Sequence, residues 1–199
     1  TLPLESPKIP HPSSRSEPAF SVPFQEVVGV IHLHSTYSDG SQPVEVIARI
    51  AQAQGLDYLI LTDHNTLAGR REGKAGWYGK TLVLIDQEIS TADGHYLALG
   101  LSQEIPSRKG GQWTVDEVRA KGGFGFVAHP LWPRRPWEDR EVRGITGLEI
   151  YDAASDMTKG NFLALAMATL FLGTDPTLTW WLDRPSESLV LWDFWLARG

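Results

Sequence analysis

Six histidines are the residues of this chain best suited to chemistry, and five of them lie at the ends or edges of predicted strands. His32 and His34 flank Leu33, and a period of two in a strand places both imidazoles on one face, near enough to share a metal ion. Taken alone, a pair of hydrogen-bonded histidines explains this spacing equally well. The pattern extends to further strand ends, where the titratable side chains are Asp63, His64, Glu88, His95 and His129. Random placement explains that repetition poorly, so we expect a metal cluster.

The elements that must position these residues alternate between strand-like and helix-like stretches. Strand-like runs occur at 27–34, 57–62, 81–85, 95–99, 124–128 and 145–151, and helical patterns at 44–55, 114–121, 161–172 and 187–197. This order predicts an α/β architecture with a largely parallel sheet, and both an open sheet and a closed barrel fit it. Function collects at the carboxyl ends of parallel strands, where these side chains fall.

Composition limits the chemistry and the partners. The chain has 199 residues, enough for one domain, and no cysteine, so any metal must be held by nitrogen and oxygen ligands, which suit Zn, Mn or Fe. A formal charge of -6 argues against a protein that binds duplex nucleic acid. It is compatible with a small anionic substrate, because bound metal supplies positive charge. The longest apolar run, 162–173, is about half the length of a membrane span.

The motifs resemble a known family. The sequence reads HLHSTYSDG at 32–40, LTDHN at 61–65 and AHP at 128–130, with Glu88 and His95 between them. Together they resemble the PHP (polymerase and histidinol phosphatase) family over residues 27–151. The form of the motifs is similar to that of its stand-alone metallohydrolases, which include CehA/McbA-type hydrolases and members that act on nucleotide phosphates.

This resemblance implies a distorted seven-stranded β/α barrel with two or three divalent ions at the strand ends. It implies that His32 and His34 bind one ion together with Glu88. Glu88 would bridge to a second ion held by His95 and His129, and a third ion would lie between Asp39 and His64. Family members carry a further Asp-x-His pair, yet no histidine follows His129 here. We therefore expect residues 24–199 to be such a domain without its last strand or strands, preceded by a Pro- and Ser-rich lead-in at 1–23. Asp86 also departs from the family pattern, which often has glycine there.

The predicted reaction is hydrolysis. Ions a few ångströms apart can activate a shared water and clamp a phosphoryl or carbonyl oxygen, so that no side-chain nucleophile is needed. Glu88 would act in catalysis as the bridging ligand. Asp63 would either orient its neighbour His64 or accept a proton from the water, and orientation is the more common role.

The substrate class depends on two basic residues. Arg134 and Arg135 suit bidentate phosphate binding, and a solvated basic turn explains them equally well. We expect a phosphoesterase acting on a small phosphomonoester or nucleotide. Hydrolysis of a carboxylic ester, amide or carbamate stays open, as does a non-catalytic metal-binding module. Trp192 and Trp195 fit a core or an oligomer face, and the sequence does not determine the compartment.

Overall fold

The computed structural model describes residues 25–151 and 185–198, which form two four-stranded sheets and four helices. The first sheet has the order β1-β2-β4-β3 and the second the order β5-β6-β7-β8. The strands are β1 (Gly29–Leu33), β2 (Tyr58–Leu61), β3 (Gly76–Tyr78), β4 (Thr81–Ile85), β5 (Gln87–Ser90), β6 (His95–Leu99), β7 (Phe124–Ala128) and β8 (Gly147–Leu148). The helices are α1 (Val44–Ala53), α2 (Ala68–Arg71), α3 (Gly111–Ala120) and α4 (Ser186–Leu196).

The first sheet is parallel in β1, β2 and β4, and β3 pairs antiparallel at its edge. The helix α1 covers this sheet because its apolar residues recur at helical spacing and form one stripe. Val44 and Ala48 of that stripe are buried against Leu59 and Val83 of the central strands. This packing holds the carboxyl ends of β1 and β2 side by side.

The second sheet is antiparallel over β5, β6 and β7, and β8 pairs parallel with β7. Its core includes Val115 and Val118 of α3, Trp195 of α4 and the fully buried Trp137. The prediction of a largely parallel sheet was therefore wrong for this half. β5 and β6 are joined through the tight turn at Thr91, and so short a connection forces antiparallel pairing.

The two sheets meet at the backbone of Glu88. His64, which follows β2, forms an isolated parallel bridge with Glu88 of β5. The amide of Asn65 donates to the Glu88 carbonyl at 2.9 Å, and the Glu88 amide donates to the Asp63 carbonyl at 3.3 Å. A closed seven-stranded barrel is not shown by the described residues. What they do show is an α/β fold whose two sheets join where the titratable side chains lie.

Several strands have the predicted bounds, notably 81–85, 95–99 and 124–128. The lead-in at 1–23 and the helix predicted at 161–172 lie outside the described residues. Within the described ranges, no helix has both the length and the apolar character needed to cross a membrane.

The packing of the first sheet generates a stability prediction. Leu59 is fully buried between α1 and the neighbouring strands. Leu59→Ala should lower the free energy of unfolding by about 2–5 kcal/mol, because it leaves a cavity in a core that relaxes only partly. Ile50→Ala, on the exposed side of α1, should change it by less than about 0.5 kcal/mol. Urea unfolding followed by circular dichroism measures both, and equal losses would contradict this description of the core.

Candidate metal centre

The Glu88 carboxylate lies at the centre of the site and is almost fully buried. Five imidazole nitrogens lie within 3.3 Å of its two oxygens, and they belong to His32, His34, His64, His95 and His129. Oε1 is 2.9 Å from Nδ1 of His95 and 3.1 Å from Nε2 of His129. Oε2 is 2.9 Å from Nε2 of His34 and 3.2 Å from Nδ1 of His64. One buried carboxylate therefore gathers side chains from both sheets.

The ligand atoms converge, but some of them make no hydrogen bond. Oε2 of Glu88 and Nδ1 of His64 are buried 3.2 Å apart, and neither makes a hydrogen bond of regular geometry among the described residues. Buried polar atoms without partners cost free energy, and native structures rarely tolerate several of them together. A cation at the point of convergence would supply the missing partner. The residues thus fit a metal ion by their chemistry and their geometry.

All seven predicted metal ligands are brought together, in three groups whose donor atoms lie within 4.8 Å of one another. The groups are His32, Glu88 and His129; His34, Asp39 and His64; and His64, Glu88 and His95. Glu88 and His64 each belong to two groups, so the groups are contiguous. The grouping differs from the implied one, in which His32 and His34 share an ion. That any of these residues binds metal stays a prediction.

The backbone of β1 is irregular at His32. His32 has a positive φ of 63°, and the register with β2 shifts between Ile31 and Leu33. The regular alternation assumed for the H-x-H pair is therefore interrupted, and the two rings lie 5.4 Å apart at a tilt of 35°. The His32 ring also lies 5.6 Å from that of His129, and the His34 ring lies 4.5 Å from that of His64.

The loop after β1 carries Asp39 to the rim of the site. Asp39 Oδ1 lies 2.7 Å from Nδ1 of His34, and Oδ2 lies 3.6 Å from Nε2 of His64. The turn requires Gly40, since a Cβ there would lie 2.1 Å from the His34 carbonyl oxygen. Asp39 is mostly exposed, so this group of ligands is the one open to solvent.

Asp63 is engaged with this same loop. Its Oδ1 accepts hydrogen bonds from the Ser35 amide at 2.8 Å and the Ser38 hydroxyl at 2.7 Å. Its Oδ2 accepts from the Ser35 hydroxyl at 2.7 Å. Asp63 thus anchors the loop that presents Asp39, a role that was not predicted from the sequence.

Glu149 also belongs to this site, although it was not among the residues predicted from the sequence. Its Oε1 is 2.8 Å from Nδ1 of His32, and its Oε2 accepts the His129 amide at 2.8 Å. The signal was present, because Glu149 lies near the end of the strand predicted at 145–151, where the same positional rule applies.

The electrostatics follow from burial and close pairing. Burial alone would raise the pKa of Glu88, but His129, His32 and the other imidazoles hold it far below its usual range. Burial lowers the pKa of His32, yet Glu149 and Glu88 outweigh it and raise the pKa to about 10. The pKa of His64 is lowered, chiefly by burial. Without a cation, His32 is therefore protonated at neutral pH.

The two arginines lie outside the cluster. Arg135 donates to the Thr91 carbonyl at 2.5 Å, in the turn that joins β5 to β6, and Arg134 is exposed. No hydrogen bond or ion pair within the described ranges joins either arginine to the seven residues. The hairpin that Arg135 contacts carries Glu88 and His95.

Comparisons with known proteins find similarity over only part of the chain. No protein-family model matches the sequence. An uncharacterized protein of Methanocaldococcus jannaschii, MJ1587, is 28% identical over 116 residues, which are 52% of this chain and 67% of that protein.

Two solved structures are similar to part of the chain. One is a two-domain protein of Bacteroides vulgatus that contains a predicted PHP-like metal-dependent phosphoesterase, with a TM-score of 0.43 and 25% identity. That match covers 55% of this chain and 36% of the other, so the chain spans about a third of its length. The other is a candidate metal-dependent phosphoesterase of Bifidobacterium adolescentis, with a TM-score of 0.45, 16% identity, and coverage of 62% and 77%. The function of the chain is therefore inferred from its own site.

The raised pKa of His32 generates a prediction about metal uptake. An imidazole must lose its proton before it can bind a metal ion. Since His32 is protonated up to about pH 10 in the metal-free protein, Zn²⁺ binding should release protons, and Zn²⁺ affinity should rise from about pH 6 to pH 8. Calorimetric titration in two buffers of different ionisation enthalpy measures the number released. Binding without proton release would contradict a ligand role for His32.

Proposed function

We propose that this chain is a PHP-type metal-dependent hydrolase that acts on a small phosphomonoester or nucleotide. The observation that carries the proposal is the buried Glu88 carboxylate, with five imidazoles around it and donor atoms left without hydrogen bonds. A protein rarely maintains such a costly arrangement unless a cation completes it.

The donor set is nitrogen and oxygen, which suits Zn, Mn or Fe rather than a metal that prefers thiolates. Two or three ions would be held by His32, His34, Asp39, His64, Glu88, His95 and His129. Divalent ions held there would polarise the scissile ester and make water reactive near neutral pH. Glu88 would remain ionised because its pKa is held low, and so could serve two ligand groups at once.

The chain's own polar residues would orient the reaction. Proton transfer is disfavoured for Asp63, because Ser35 and Ser38 already donate hydrogen bonds to both of its oxygens. The predicted orientation of His64 is not supported either, since among the described residues the carboxylate is hydrogen-bonded to the loop after β1 and not to His64. Asp63 would then act through the loop that presents Asp39. His64, whose pKa is lowered, would be largely neutral and free to bind an ion.

The phosphate preference rests on Arg135. A guanidinium is the side chain best matched to a phosphoryl group, and Arg135 contacts the hairpin that carries Glu88 and His95. Esters, amides and carbamates need no such anion site, so substrate preference separates them from phosphoesters. A non-catalytic metal-binding module would bind metal and hydrolyse none of them.

Metal dependence is the first test of the proposal. Purified protein loaded in turn with Zn²⁺, Mn²⁺ and Fe²⁺ should hydrolyse p-nitrophenyl phosphate or a nucleoside monophosphate, and chelation should abolish this until metal is restored. Glu88→Gln should lower kcat/KM about a thousandfold, equivalent to about 4 kcal/mol, because the shared ligand is lost. Glu117→Gln, a surface change on α3, is the matched control. Metal uptake without hydrolysis of any phosphoester or carboxylic ester would overturn the enzyme proposal.

The role of Arg135 is tested separately. Arg135→Ala should raise KM for a phosphomonoester about tenfold with a smaller change in kcat, since a ground-state contact to the phosphate is lost. Its bound metal should be unchanged. Arg49→Ala, on the exposed face of α1, should leave both constants as they are. Steady-state kinetics decide, and an unchanged KM for Arg135→Ala would remove Arg135 from the substrate site.

A further inference from the structure

Glu149 makes two contacts, each to a different candidate metal ligand. Oε1 is 2.8 Å from Nδ1 of His32, and Oε2 accepts the backbone amide of His129 at 2.8 Å. We infer that Glu149 is a positioning residue that fixes which nitrogen of His32 faces the metal and holds His129 in place beside it. This inference rests on the proposed metal centre and adds a residue to it.

The tautomer of His32 is set by its partner. An ionised carboxylate only accepts hydrogen bonds, so the Nδ1 atom of His32 must carry the proton that it donates to Glu149. When the ring is neutral, its lone pair is then on Nε2, which lies 3.3 Å from Oε2 of Glu88. Histidines that bind metals are commonly fixed in this way by a carboxylate on the other ring nitrogen.

The backbone conformation of His129 gives a role to Oε2, the second carboxylate oxygen of Glu149. His129 has a positive φ of 25°, a conformation that a residue other than glycine adopts only when its surroundings hold it there. The hydrogen bond from its amide to Glu149 is one such restraint. The His129 ring then places Nε2 at 3.1 Å from Oε1 of Glu88.

Glu149 is itself held by the sheet. Its amide donates to the Val127 carbonyl at 2.8 Å, which continues the parallel pairing of β7 with β8 by one residue. Its side chain is mostly buried. The Glu149 carboxylate therefore connects β8, β7 and β1, and its position is fixed by the sheet.

Both partners of Glu149 are donors, and this makes the carboxylate difficult to replace. Glutamine has one acceptor and one amide that donates. If its oxygen accepts the His129 amide, its NH₂ group faces Nδ1 of His32 and favours the tautomer protonated on Nε2. That tautomer has no lone pair on the atom nearest the centre. Glu149→Gln should thus impair metal binding although it preserves the size of the side chain.

Two measurements test this with Zn²⁺ as the probe. In the Zn²⁺-loaded wild-type protein, long-range ¹H–¹⁵N correlation spectra should show His32 protonated on Nδ1 and bound through Nε2. Chelator competition should show that Glu149→Gln weakens Zn²⁺ binding about 10–100-fold. Glu138→Gln, which changes an exposed glutamate away from the cluster, should bind like wild type. Circular dichroism of the metal-free proteins checks that both variants fold.

The wild-type spectrum decides the matter even if Glu149→Gln fails to fold. His32 protonated on Nε2, or bound through Nδ1, would overturn the inference. So would wild-type Zn²⁺ affinity in a folded Glu149→Gln protein. These results are distinct from failure of the proposed function, since Zn²⁺ binding with the expected tautomer but without hydrolysis would leave the role of Glu149 standing. If the wild-type protein bound no divalent ion, the proposed function and this inference would both fail.

Discussion

Burying the carboxylate of Glu88 costs free energy that nearby charge or hydrogen bonds must offset. The structure surrounds it with five imidazoles and lowers its pKa far enough to keep it ionised. Those imidazoles come from β1 and the residue after it, from the third residue after β2, from the start of β6 and from the residue after β7. The position of each strand is thereby tied to one buried group, and the two sheets have to meet around it.

Backbone contacts also hold the two sheets together at Glu88. The bridge between His64 and Glu88 joins β2 to β5, so the two sheets continue into each other where the ligands lie. Asp63 adds a second link, because it accepts hydrogen bonds from the loop after β1 while its carbonyl accepts the Glu88 amide. These contacts are made by backbone groups and the Asp63 carboxylate, and none of them uses a donor atom of a candidate metal ligand. The site is thus organised by the fold, which lowers the cost of ordering ligands when an ion binds.

Local sequence pattern predicts part of this arrangement. The strand runs that end at Ala128 and begin at His95 have the predicted bounds, because an apolar run between turn residues identifies a buried strand well. The positions of the titratable residues at strand ends also predicted that these side chains lie close together, since such ends converge in space. The sequence pattern could not predict the direction of strand pairing, since the tight turn at Thr91 makes β5 and β6 antiparallel rather than parallel. Nor could it supply the positive φ of His32, which depends on tertiary contacts.

The carboxylates at this site differ in what they can do because their surroundings differ. Both oxygens of Asp63 accept hydrogen bonds from the loop after β1, and those of Glu149 contact Nδ1 of His32 and the His129 amide, so the role inferred for both carboxylates is to orient. Glu88 is 1% exposed and Asp39 is 68% exposed at the side chain. The group built on His32 and Glu88 is therefore closed, while the one that contains Asp39 faces solvent. Catalytic metal sites keep an open position and structural ones do not. In the proposed hydrolase, the substrate would approach from the Asp39 side and the closed group would hold the shared ligand in place.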